Sequence, residues 1–135
     1  MPKPPLPDEV TSLLEKPYLA VIASVRPDGQ PVSVPTWFLL EDGRVLVNMD
    51  EGRKRLEYLR NEARVSLTVY DPNDPVTHVS MQGRVAELVD DPELVDIDRL
   101  AQRYAGIRYP NRERGRVSAW IEIDRWHGWG ALEQR

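Results

Sequence analysis

The chain contains no cysteine, and that single absence removes a disulfide framework, zinc–thiolate and iron–sulfur ligation, and any thiol nucleophile. Histidine is nearly as scarce. His78 and His127 lie far apart without a third ligand at metal spacing, so no metal site is expected and each reads as a structural or surface residue. Serines are plentiful, but none lies in a nucleophile-elbow context, and no GxGxxG or GxxxxGK[ST] run occurs. Hydrolase chemistry is therefore unsupported, and neither a Rossmann nor a P-loop phosphate site is present. No apolar run approaches the ~20 residues of a membrane span, and the opening Met-Pro-Lys-Pro-Pro-Leu-Pro lacks the apolar core of a signal peptide. A soluble cytoplasmic protein is expected. Basic excess is also missing, since the formal charge of −4 argues against a general nucleic-acid binder.

What remains suffices for one domain: 135 residues bury about two-thirds of the surface of the unfolded chain without a metal or disulfide staple. The first seven residues hold four prolines and are expected to form a poorly ordered arm (1–7), leaving a single domain over 8–135. Val10, Leu13 and Leu14 repeat at i, i+3, i+4, which predicts a short amphipathic helix over Glu9–Lys16, stopped by Pro17. Tyr18–Arg26 is apolar on both faces and predicts a buried strand. Pro27-Asp28-Gly29-Gln30 then turns it into a second arm, Pro31–Glu41, where Pro35 implies an edge, a bulge or an interruption. Asp42-Gly43 closes another hairpin onto Arg44–Met49. Strands are also predicted over Arg64–Tyr70, Val76–Val89 and Val117–Arg125, with a helix from an Asp91 N-cap and Pro92 to Tyr104, ended by Gly106. Trp126 to Gly130 reads as a tail. Six antiparallel strands with two peripheral helices between them suggest a small barrel.

The chemistry-bearing stretch is Arg44–Asp71, a strand, a turn at Asp50-Glu51-Gly52, a short helix from about Arg53 to Asn61, and a second strand. Arg53, Lys54 and Arg55 fall at the start of that helix, where the macrodipole makes each cation unfavourable by roughly 0.3–1 kcal/mol. A bound phosphate, held by first-turn amides and basic side chains, would reverse the sign. A solvated basic helix start, with Glu51 and Glu57 as counter-charges, is the other reading. A second basic stretch, Arg103–Arg116, holds five arginines in fourteen residues and reads as a mobile loop, either solubilising or able to screen a polyanion.

The RPDGQPVSVPTWF hairpin, the RVLVNMDEGRKR…LRNEARVSL unit, the Gln82-Gly83-Arg84 strand and the tryptophan-containing end together resemble the pyridoxamine 5′-phosphate oxidase-like, split β-barrel flavin-binding family, over nearly the whole chain. Within it the chain looks most like the short members that use the deazaflavin coenzyme F420. The resemblance implies a mainly β, six-stranded antiparallel split barrel and an F420-dependent oxidoreductase that transfers a hydride to or from an unsaturated organic substrate. FMN in the same fold, or a non-catalytic flavin or haem carrier, are the alternatives. It implies phosphate binding by Arg53 and Arg55, with Lys54 as an alternative, and a phosphate and ring region lined by Asn48, Met49 and Asp50. It also sets Pro35, Thr36 and Trp37 beside the tricyclic ring and Gln82 among the cofactor-binding residues. Family members are homodimers with sites at the interface, which would let Trp120 and the polar face His78/Ser80/Gln82/Arg84 meet a partner subunit. The arginine–histidine substrate signature of true pyridoxine-phosphate oxidases is not recognisable in Arg125–Trp129, so that reaction is not expected.

Overall fold

A computed structural model describes residues 1–132; the last three positions of the expected domain, 133–135, lie outside the described residues. The order is α1 (Asp8–Leu14), β1 (Ala20–Val25), β2 (Pro31–Thr36), β3 (Leu39–Glu41), β4 (Arg44–Asp50), α2 (Lys54–Asn61), β5 (Arg64–Asp71), β6 (Asp74–Asp90), α3 (Val95–Ala105) and β7 (Arg116–Trp129), with a 3₁₀ turn over Gly130–Leu132. All seven strands join one antiparallel sheet in the order β2-β1-β5-β6-β7-β4-β3. Its two edges, β2 and β3, are separated in sequence only by Trp37 and Phe38. Three consecutive Cα steps reach at most about 11 Å, so the sheet must curl until its edges nearly meet, which makes it a barrel split along one seam.

That geometry corrects the expected strand count from six to seven. Pro31–Glu41 cannot be one strand, because the chain has to leave one edge and re-enter at the other. The break follows Pro35, which has no N–H to give a ladder and sits on the edge strand β2. Phe38 is fully buried at the seam. The Tyr104 hydroxyl accepts from Phe38 N (3.2 Å) and donates to Tyr18 O (2.6 Å), holding this crossing against α3.

The long antiparallel β6–β7 pair, joined through α3, is the spine, pairing with β5 on one side and β4 on the other. Its register shifts at Gln82/Gly83. A Cβ on Gly83 would lie 2.1 Å from the Glu122 carbonyl oxygen, so only glycine allows this approach. The same irregularity corrects the reading of the C-terminal aromatics. Val117, Ala119, Ile121 and Ile123 face inward; the extra residue shifts the phase, and Trp126 and Gly128 are then the buried ones. Residues 126–129 are strand, and Trp126 is core. Trp120 is covered within its own chain by the Arg44 guanidinium, 4.8 Å above its ring, which Glu87 holds at 2.7 Å. At the N-terminus, Leu6 packs on the core and Pro2 O accepts from Trp126 N at 3.1 Å.

Helix α3 begins three residues later than expected, at Val95, because Leu94 takes a left-handed conformation (φ 61°). Asp91 still caps it, from the preceding turn: its carboxylate accepts from Asp96 N (3.2 Å) and Ile97 N (3.0 Å). No helix among the described residues is long and apolar enough to cross a membrane.

Candidate cofactor-binding cleft

Strand β4 ends where the Asp50 carboxylate accepts from Gly52 N at 2.7 Å and the Asp50 carbonyl from Arg53 N at 3.0 Å, a tight turn that aims the start of α2 outward. Leu56 and Leu59 bury one face of α2 on the barrel. Arg53 occupies the N-cap position with extended backbone and no side chain caps the helix, so the amides of Lys54 and Arg55 stay available. Lys54 has a loose, exposed contact with Glu57 at 3.5 Å, the kind worth a few tenths of a kcal/mol. Among the described residues, Arg53 and Arg55 meet no carboxylate within ion-pair distance. Burial, then the charges of Arg53 and Arg116, push Arg55 below the ordinary arginine range. Its Nε is buried and, among the described residues, donates to nothing.

These cations open onto a cleft of about 890 Å³, near the top of the roughly 300–1,000 Å³ usual for small-molecule sites. Gly52, Arg53, Lys54 and Arg55 form one end; Asn48, Met49 and Tyr58 line it further; β2 residues from Val32 to Thr36 form a flank; Trp37, Ile97, Leu100 and Tyr109 make an apolar wall. Trp37 stacks on Tyr104 (centroids 5.4 Å, planes 4° apart) and meets Tyr109 edge-on at 6.4 Å.

Arg116 also lines the cleft, although the sequence placed it only among the five arginines of the basic loop able to screen a polyanion. It is the first residue of β7, and its guanidinium lies 4.7 Å from the Tyr109 ring. It is held from behind: Arg116 Nε donates to Asn48 Oδ1 (2.9 Å), and Asn48 Nδ2 donates to Asp91 Oδ2 (3.1 Å) and Ser118 Oγ (3.0 Å). Ser118 in turn donates to Asp96 at 2.7 Å. Asn48, Asp91 and Ser118 are all buried, so the network is dry and every member has a partner. Nothing local marks Arg116, because the β4–β7 pairing that sets Asn48 opposite Ser118 joins residues far apart in the chain.

Three of the other four loop arginines are committed elsewhere, and Arg108 is exposed. Arg103 donates to the carbonyls of Leu14, Glu15 and Lys16, capping α1. Arg112 makes a bidentate pair with Asp98 (2.7 and 3.1 Å), and Arg114 pairs with Asp50. The Asp98 carboxyl is held below its usual range first by Arg112 and then by Tyr109 N–H, and that of Asp50 first by Gly52 N–H and then by Arg114. A loop read as mobile is thus strapped down at several points, Gly115 O accepting from Glu51 N at 3.0 Å among them.

Of the residues expected at a cofactor site, Arg53, Lys54, Arg55, Asn48, Met49, Pro35, Thr36 and Trp37 all line the cleft. Asp50 and Gln82 do not. Asp50 braces the turn beneath it. Gln82 is exposed on the outer face of the sheet, between Ser66 and Arg125, because inward Met81 and Gly83 fix its phase.

A phosphate-bearing planar cofactor fits this donor set, since an uncapped helix start, a buried Arg55 Nε without a partner among the described residues and an aromatic wall share one cleft. Among solved structures, an F420 reductase superposes with a TM-score of 0.83 at 27% identity, covering 90% of this chain and 98% of that one. The conserved hypothetical protein Rv2991 from Mycobacterium tuberculosis gives 0.74 at 23% identity over 98% and 92% of the two chains. HupZ from Group A Streptococcus gives 0.73 at 16% over 97% and 99%. The last two establish the fold alone. No curated protein matches the sequence. The profile of the pyridoxamine 5′-phosphate oxidase family matches residues 6–130, nearly the entire split barrel, and the chain therefore belongs to that family of flavin-binding oxidoreductases.

Proposed function

We propose that this chain is an F420-dependent oxidoreductase that transfers a hydride between the deazaflavin and an unsaturated organic substrate. The observation that carries the reading is the uncapped start of α2, where Arg53 and Arg55 stand, among the described residues, without carboxylate partners at one end of an aromatic-walled cleft. The likeness to an F420 reductase supports the choice of deazaflavin. Arg53 and Arg55, with Lys54, would hold the cofactor phosphate through charge-assisted bonds together with the first-turn amides. Asn48 and Met49 back that end, and Pro35, Thr36 and Trp37 flank the space for the ring system. Bound in reduced form, the cofactor would supply a hydride and release a proton, which together account for the two hydrogens the substrate gains. The side chains bind, orient and keep water out, and none need be a general acid.

Visible spectra of the purified protein titrated separately with F420, FMN and haem test this. Tight binding of F420 is expected. Tight binding of FMN alone would replace the reading with an FMN oxidoreductase of the same fold, and of haem alone with a carrier.

We also propose a homodimer with its sites at the interface. The outer face of β1, β5 and β6 carries Val21, Ala23, Ser66, Thr68, Ser80 and Gln82 in adjacent register, an uncharged field bordered by exposed Tyr70 and, on β7, by Arg125 and exposed Trp129. Depletion of charge at the centre of a flat face is the mark of an interface. The field reaches β2, which flanks the cleft, so a partner there would wall it. Sedimentation of the native protein should give a dimer, and Ser80→Arg a monomer; a native monomer at micromolar concentration would end this proposal.

A further inference from the structure

We infer that Arg116, on β7 beside the α2 cluster, is a second anion-binding residue of the cleft, and that it selects substrates carrying a carboxylate on a flat, unsaturated body. This rests on the proposed function only in assigning the α2 end to a cofactor phosphate. A phosphate there already has Arg53, Lys54, Arg55 and the first-turn amides available. Arg116 is surplus to it and is organised differently. Its Nε is occupied by Asn48, its face lies on Tyr109, and the Tyr109 hydroxyl sits 3.4 Å from Nη1. Among the described residues it meets no carboxylate within ion-pair distance. The Nη edge, with a phenol beside it, is therefore what remains for a ligand. A guanidinium edge matches the two oxygens of a carboxylate, and an adjacent phenol can donate to one of them.

The surroundings define the rest of the molecule. Trp37, Tyr109, Ile97 and Leu100 form the wall next to Arg116, which suits a planar apolar body. Asn48 and Asp91 act through Arg116 as positioning residues. Asn48 is fixed by a buried acceptor behind and aims the guanidinium in front, so Arg116 loses little freedom when it binds.

The test uses the full chain with trans-cinnamate and trans-cinnamamide as probes, equal in shape and differing in charge, titrated by calorimetry with and without saturating oxidised F420. The native protein should bind the acid at least about tenfold more tightly than the amide, as expected for one charge-assisted bidentate contact. Arg116→Gln should erase that preference while moving F420 affinity less than about twofold, and Arg116→Lys, which keeps charge but loses the fork, should recover only part of it. Tyr109→Phe should weaken the acid about threefold and leave the amide alone. Should Arg116→Gln fail to fold, the lysine and phenylalanine variants carry the test. Acid preference persisting in a protein that does not bind F420 would support Arg116 while ending the F420 reading. Equal binding of acid and amide to the native protein would overturn the inference. So would an Arg116→Gln protein that loses F420 tenfold yet keeps its acid preference, since Arg116 would then belong to the cofactor phosphate.

Discussion

Arg53 and Arg55 at the start of α2 have no acid within ion-pair distance among the described residues, whereas Arg112 and Arg114 are each held by one, Asp98 and Asp50. Both stretches are short basic runs in an acidic chain, and both border the same cleft. The difference is where the acids fall. Asp98 lies on α3 and reaches the loop, and Asp50 meets Arg114 from the turn that ties down Gly52 N and leaves the α2 amides available. A cation whose counter-charge is supplied by the fold contributes to the fold. A cation left half-buried beside like charges, as Arg55 is between Arg53 and Arg116, is stabilised only by an anion from outside.

The sharpest way to break this contrast is to remove the unpaired side. Arg53→Ala with Arg55→Ala deletes two charge-assisted contacts worth roughly 1.5–3 kcal/mol each, so the F420 dissociation constant should rise at least tenfold, with a thermal midpoint close to native because two unfavourable helix-start charges leave together. An unchanged constant would refute the phosphate assignment.

Next in size is Asp91→Ala. It removes one of the two acceptors of Asn48 Nδ2 and the acceptors of Asp96 N and Ile97 N in a buried network, and urea unfolding should show a loss of about 2–3 kcal/mol. A loss under about 0.5 kcal/mol would mean that water reaches these donors.

Asp98→Asn probes the paired side with a pH signature. The folded-state pKa of Asp98 lies below its ordinary value, so its stabilising effect is present above the unfolded carboxylate pKa of about 3.9 and disappears as pH falls through the lowered folded value. Both side chains are about a third exposed at most (27% and 30%), so screening limits the effect to about 1 kcal/mol at pH 7. The gap between native and variant melting should narrow progressively as pH falls below about 3.9; a gap that does not narrow at all down to the most acid pH at which both proteins stay folded would assign the effect to packing.

The smallest effect concerns ligand binding by the loop. With Arg103, Arg112 and Arg114 engaged, Arg108 is the exposed remainder, and F420 with short and long oligoglutamate tails should give isotherms within about twofold of each other, varying little with salt. A steep dependence on tail length would show that the ion pairs open for the tail.

Much of this molecule was legible before any coordinates. Asp28-Gly29 and Asp42-Gly43 mark their hairpins because few residues tolerate positive φ, and Asp42 and Gly43 do adopt it (φ 53° and 76°). The uncapped cations of α2 were visible because helix termini are local structures with local electrostatics. Trp126 was not, since a bulge in the middle of β7 changes the phase of alternation and leaves no composition signal. The cap of α3 was assigned to the right residue at the wrong distance, because Asp91 reaches its amides across a turn that Leu94 makes with an unfavourable φ.

The sequence by itself determined the hairpins, the helix faces and the three cations at a helix start, all set by interactions spanning a few residues. Only the tertiary structure decided which arginines are spent and which are free. It brought Asn48, Asp91 and Ser118 together behind Arg116, and it set Trp37 at the seam where the sheet's two edges meet. The reason is that pairing a charge requires an acid within about 4 Å in space, and proximity between residues far apart in the chain is settled by strand order and barrel closure.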